Sequence, residues 1–153
     1  MDLQAKLAAM GLRLPDAPKP VAAYVPSVRV GELVFVSGQI PMCDGKLVTG
    51  KVPMVVGIEP AQKAAQQCVL NALASIRSEI NDDWSRFVRV VKLGVFVQSD
   101  HTFAEQHIVA NGASELLQKL FGEAGRHARA AVGVHMLPLN AAVEVEAVFQ
   151  IRG

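Results

Sequence analysis

The stretch HARAAVGVHMLPLNAAVEVEAVFQI, residues 127–151, holds two runs of alternating side chains separated by Leu137-Pro138. In the second run Val143, Val145, Ala147, Phe149 and Ile151 share one face, while Glu144, Glu146 and Gln150 share the other. Period-two alternation marks a strand with one covered face. The first run divides in the same way. Ala128, Ala130, Val132 and Val134 read as the face turned to a core, and His127, Arg129, Ala131, Gly133 and His135 as the opposite face. Two such strands need further strands to pair with and a layer to cover them.

The segments upstream supply both. Residues 87–97, FVRVVKLGVFV, are almost continuously apolar, the pattern of a strand covered on both faces. Residues 59–80 read as a helix, with Ala61, Ala65, Cys68, Ala72, Ile76 and Ile80 along one stripe. Glu59-Pro60 suits its start and Asn81-Asp82-Asp83 its end. A second helix is expected from Asp100 or Thr102 to Phe121-Gly122, with Thr102 and Glu105 at capping-box spacing and an irregularity at Asn111-Gly112. Val28, Val30, Leu33 and Phe35 flank Gly31-Glu32 as a hairpin, and Asp44-Gly45 turns between Ile40–Cys43 and Lys46–Val48. Asp2 caps a short helix carrying Leu3, Leu7 and Met10, which stops at Gly11 before Pro15, Pro18 and Pro20. The order of elements predicts an α+β fold: one domain over residues 1–153, helices packed on one face of a sheet, with residues 1–20 as a helical extension and proline-rich loop.

Composition narrows the function. With 51% apolar and 19% charged residues in 153, the chain has the makings of a core and is not a disordered segment. The balance of 15 basic and 14 acidic side chains leaves +1, without the basic footprint of a nucleic-acid partner, and 5% aromatic residues is thin for stacking bases. No apolar run reaches the roughly 18 residues of a membrane span. The N-terminal MDLQAKLAAMGLRLPDAPKP lacks the basic start and apolar run of a secretory signal, and Cys43 and Cys68 form no CxxC. From these readings a cytoplasmic protein is expected.

Chemistry concentrates on the strand at Arg129. An always-charged planar fork beside Ala131 and Gly133 has room to dock a carboxylate over a small-residue floor. An arginine paired with an acid on the next strand would give the same pattern, and the residues alone leave both open. If the last two strands pair around 137–141, Glu144 or Glu146 stands near Arg129, where a glutamate could hold a water or pass a proton. His101, His107, His127 and His135 match neither HExxH nor zinc spacings, and no GxGxxG, P-loop or GxSxG occurs, so neither a metal nor a cofactor is expected.

Three segments taken together resemble a known family: Val34-Phe35-Val36-Ser37-Gly38-Gln39-Ile40-Pro41, Ala128-Arg129-Ala130-Ala131-Val132 with Leu137-Pro138, and Val143-Glu144-Val145-Glu146-Ala147. Tyr24-Val25 and Asn71 also fit. The chain is similar, over residues 22–151, to the RidA (YjgF-type) family in its longer, L-PSP-like endoribonuclease branch. The resemblance implies a chorismate-mutase-like mixed sheet with two helices on one face, and a homotrimer with clefts between subunits. It implies hydrolysis of enamines or 2-imino acids to 2-keto acids and ammonia. Ribonuclease or translation-inhibitor activity, and non-catalytic binding of small carboxylates, are the alternatives. By the same resemblance Arg129 grips the substrate carboxylate and Glu144 stands near the water. Tyr24, Ser37 and Gly38 line the pocket, Ala131 its floor, and Asn111 is a looser match. Two features depart from the better-known branch. Ala131 replaces a cysteine or hydroxyl residue, and the N-terminal extension is additional.

Overall fold

The computed structural model describes residues 1–17, 19 and 23–153. Pro18 and Pro20 of the expected proline-rich loop lie outside the described residues. In chain order the elements are α1 (Leu3–Ala9), β1 (Ser27–Val30), β2 (Leu33–Gln39), β3 (Met42–Cys43), β4 (Lys46–Leu47), α2 (Ile58–Ser75), β5 (Phe87–Gln98), α3 (Gln106–Phe121), β6 (Ala128–Val134) and β7 (Val143–Ile151). The main sheet has the order β1-β2-β7-β5-β6, and β3 and β4 form a separate hairpin. β5 and β6 run parallel and every other neighbouring pair is antiparallel. A parallel pair needs a crossover, and α3 supplies it. No helix among the described residues is long and apolar enough to cross a membrane.

α2 and α3 cover one face of the sheet. The predicted stripe of α2 is buried from Ala61 to Ile80, and Val109, Ala113, Leu116, Leu117 and Leu120 of α3 are buried with it. From the sheet come Val34, Val36, Leu93, Val95, Val97, Val143, Val145, Ala147, Phe149 and Ile151. α1 joins the same core through Leu3 and Leu7. The Asp2 carboxylate accepts from the Ala5 amide at 3.0 Å, as the sequence predicts of a cap. Lys6 then closes the far end of α3, donating to the Leu120 carbonyl at 2.7 Å.

Four expectations are corrected. First, the faces of β6 are reversed. Leu93 pairs with Arg129, Val95 with Ala131 and Val97 with Gly133, so the Arg129 set points to the helices. Ala128, Ala130 and Val132 share the other side, where Val132 is 46% exposed. β6 is an edge strand, and on the Arg129 side α3 comes close enough to bond that side chain. Second, β5 is covered on one face only: Lys92 is exposed on the other and Phe96 half-buried. In the single chain its apolar run goes with a place inside the sheet, between β7 and β6. Third, α2 ends at Ser75, where the Ser75 hydroxyl donates back to the Asn71 carbonyl at 2.9 Å, a bond that competes with the helix. The chain reaches Asn81 through turns. Fourth, α3 begins at Gln106, and Glu105 makes no side-chain cap bond. α3 also runs unbroken through Gly112. A Cβ at Gly112 would collide with the backbone carbonyl of Gln62, so glycine is there for the close approach of α2 and α3.

Candidate functional site

Arg129 projects from β6 toward α3. Its Nη1 donates to Asn111 Oδ1 at 2.9 Å and to Ser114 Oγ at 3.0 Å, and its Nη2 to the His107 carbonyl at 3.4 Å. All three acceptors are neutral. Ion pairs among the described residues join Arg13 to Asp44, Lys63 to Glu59, Arg77 to Asp82 and Arg126 to Glu123, and none reaches Arg129. The alternative of an arginine spent on a neighbouring acid therefore falls. The guanidinium is oriented without being neutralised, and a cavity of about 230 Å³ opens beside it, lined by Ser114, Gln118, Gly125, Arg126, His127 and Arg129.

α3 sets this arrangement. Asn111 and Ser114 lie three residues apart and so share one helical face. The Gly112 contact fixes the depth of that face, and Gln62 Nε2 donates to the Ile108 carbonyl at 2.8 Å across the same interface. The sequence reading singled out Asn111 but missed Ser114, although the i, i+3 spacing was there to find it. Burial pushes the His127 imidazole below its ordinary 6.5, and the Arg129 charge adds to this, so it is neutral at pH 7.

The floor does not form one pocket. Ala131 is half-buried and packs on the core. Gly133 lines a different cavity, of about 540 Å³, with Lys51, Asp100, His101, Gln106 and His135. A Cβ at Gly133 would stand 2.7 Å from Gln106 Nε2 and 3.1 Å from Ser99 Oγ, so both side chains depend on its absence.

Glu144 is not beside Arg129. The expected pairing of the last two strands does not occur, because β5 lies between β6 and β7. Glu144 pairs with Phe96 and Glu146 with Gly94, on the side of the sheet away from the helices. The Glu144 carboxylate instead lies directly over Gly38, where any Cβ would strike its Oε1. The β2–β7 ladder shifts register between Val36 and Gln39, and the irregularity places Ser37 and Gly38 there. Ser37 Oγ donates to the Val25 carbonyl at 2.7 Å, and the neighbouring Tyr24 is 61% exposed. Asn71 ties the chain after β2 to α2, its Nδ2 donating to the Ile40 and Met42 carbonyls at 3.0 and 3.1 Å. Burial, and then the nearby Glu146, raise the Glu144 carboxyl above its ordinary 4.5, which suits it to hold a proton closer to neutrality. Beneath, the buried Cys68 thiol is pushed well up by desolvation and is inert as a nucleophile.

The candidate residues thus form two groups. At the sheet edge Arg129 of β6 meets Asn111 and Ser114 of α3; Glu144, Gly38, Ser37 and Tyr24 gather around the irregular end of β2.

Comparisons with known proteins agree with this architecture. The family model described as Endoribonuclease L-PSP matches residues 14–151. Protein TCP17 of Trypanosoma cruzi is 44% identical over 150 residues, covering 97% of this chain and 93% of its own. The 2-iminobutanoate/2-iminopropanoate deaminase of Dermatophagoides farinae is 31% identical over 140 residues, covering 90% of this chain and 93% of its own. The crystal structure of protein Atu1372 from Agrobacterium tumefaciens, whose function is unknown, superposes with a TM-score of 0.92 at 47% identity, covering 97% of this chain and 92% of that one.

Proposed function

The chain belongs to the Endoribonuclease L-PSP family, and from that premise we propose that it hydrolyses 2-imino acids to 2-keto acids and ammonia, in clefts completed between the subunits of a homotrimer. The observation that carries this reading is Arg129. It is a guanidinium held by neutral acceptors, without a carboxylate partner among the described residues, and open to a cavity.

In this reading the substrate carboxylate docks on the Arg129 fork and holds the imine carbon in place. Asn111 keeps the fork aimed, and the cavity beside it, with Gly125 in its wall, leaves space for the substrate. Glu144 takes a proton from water as the oxygen bonds to the imine carbon. It returns that proton to the imine nitrogen, giving a carbinolamine, whose hydroxyl proton then passes through the same carboxylate to nitrogen as the C–N bond breaks, leaving ammonia and the keto group. Gly38 lets the acid sit against bare backbone, and Tyr24 and Ser37 line the entrance. Because Arg129 and Glu144 face opposite sides of one sheet, a neighbouring subunit must bring its Glu144 group to Arg129. Val28, Val30, Phe35 and Val132, all at least 45% exposed on the uncovered face, support such association.

Endoribonuclease activity is the other function the family admits. The charge of +1 and the 5% of aromatic residues weigh against it. The test is to generate 2-imino acids in situ with an amino-acid oxidase and follow ammonia release. The wild type should accelerate release and Arg129→Ala should lose at least about a hundredfold, with an unchanged elution volume. Turnover that survives Arg129→Ala refutes the proposal. Saturable keto-acid binding without any turnover would leave a carboxylate-binding protein. RNA cleavage that co-purifies and is lost with Arg129 would favour the ribonuclease.

A further inference from the structure

The cavity beside Arg129 holds a second guanidinium. Arg126 stands three residues earlier, in extended backbone just before β6, and lines the same space of about 230 Å³. Two permanently charged forks in one small cavity repel each other unless an anion joins them. No carboxylate lines that cavity among the described residues. Glu123 reaches Arg126 only at 3.5 Å, with the two side chains 65% and 86% exposed, a contact that water and salt screen and a ligand can replace. Arg89 adds positive charge behind, its Nη2 donating to the Arg126 carbonyl at 3.0 Å. The other polar walls, Ser114, Gln118 and His127, are uncharged at pH 7, so the cavity is cationic throughout.

We propose that Arg126 is a specificity-determining residue that selects 2-imino dicarboxylates, with Arg129 holding the carboxylate beside the imine carbon and Arg126 the carboxylate at the far end of the side chain. Three extended residues put the two Cα atoms about 10 Å apart. Because both side chains line one small cavity, a four- or five-carbon diacid placed in it can meet both charges. A monocarboxylic substrate fills only one of the two forks. The inference rests on the hydrolase reading and adds the substrate class to it.

The experiment compares kcat/KM for imines made in situ from aspartate and from alanine by their oxidases. The wild type should prefer the aspartate-derived imine. Arg126→Ala should lower the ratio of the two kcat/KM values by about ten- to a hundredfold, the worth of one charge-assisted contact. Arg126→Lys should recover part of the ratio, and Arg126→Glu should lower it further, while Arg129→Ala should abolish both activities. If Arg129→Ala abolishes both and the ratio does not move in the Arg126 variants, the dicarboxylate inference is overturned and the hydrolase reading stands. If Arg129→Ala leaves both activities intact, the hydrolase reading fails and the inference goes with it. Circular dichroism of each variant checks that the fold is retained.

Discussion

Replacing Gly112 by alanine tests how the helix layer positions the site. A Cβ there would meet the Gln62 backbone carbonyl oxygen, with the carbonyl carbon at 2.7 Å and the Cα at 2.8 Å. Carbon atoms pack at about 3.5 Å or more, so α2 and α3 would have to part by at least about 0.8 Å. All three obstructing atoms are backbone, and no rotamer change relieves them. Alanine gains about 1 kcal/mol of helix propensity over glycine. Overpacking typically costs about 1–3 kcal/mol, and the upper end applies where backbone must move. The parted helices also lose part of the dispersion contact between the buried residues of α2 and α3. We expect a net loss of about 1–3 kcal/mol, a lowering of Tm by roughly 2–10 °C in a domain of this size. Because Asn111 is next in sequence and aims Arg129, KM for the imine should rise as well. Urea denaturation at constant m-value, with steady-state kinetics on the same preparation, measures both. A Gly112→Ala protein about 1 kcal/mol more stable than the wild type would refute the close-contact account, since that is what the propensity gain alone predicts.

Further outcomes follow from single contacts. Asn111→Asp puts a carboxylate 2.9 Å from Arg129 Nη1 with almost no change of shape. The internal ion pair should compete with the substrate and lower kcat/KM by about tenfold or more, and unchanged kinetics would remove Arg129 from the binding step. Since Glu144 titrates above 4.5 in the folded chain, the folded state binds the proton more tightly, and this group withdraws stability as pH rises through and beyond that value. Glu144→Gln should therefore gain on the wild type between about pH 4 and pH 7 while losing turnover, and a stability difference flat with pH would contradict the raised value. Leu7→Ala, at a fully buried position of α1, should cost about 2–5 kcal/mol yet leave KM alone, because no residue of α1 lines the Arg129 cavity. A KM that shifts would mean that the N-terminal extension reaches the site.

Local chemistry was the legible part. The Asp2 cap, the two-residue turn at Gly31-Glu32 and the Asp44-Gly45 turn, with φ of 51° and 75°, depend on residues adjacent in the chain. Helix ends were read less well. The Ser75 back-bond and the late start of α3 arise from competition among nearby hydrogen-bond partners, which spacing rules do not rank. Arg129 was visible as the odd charge among small residues. Its partners Asn111 and Ser114 needed the helix to be laid against the strand before they could be paired with it.

By itself, then, the order of residues determined that Val143 to Ile151 would bury one face, that residues 61–72 would form a helical stripe, and that an α+β domain would result. Periodicity says that alternate side chains part company; it does not say which side will be covered. That was decided when β7 entered between β2 and β5, a long-range pairing that turned Arg129 toward the helices and Glu144 away from them. The separation of the two groups is a property of the assembled sheet, because it depends on which strands exchange hydrogen bonds and not on any spacing along the chain.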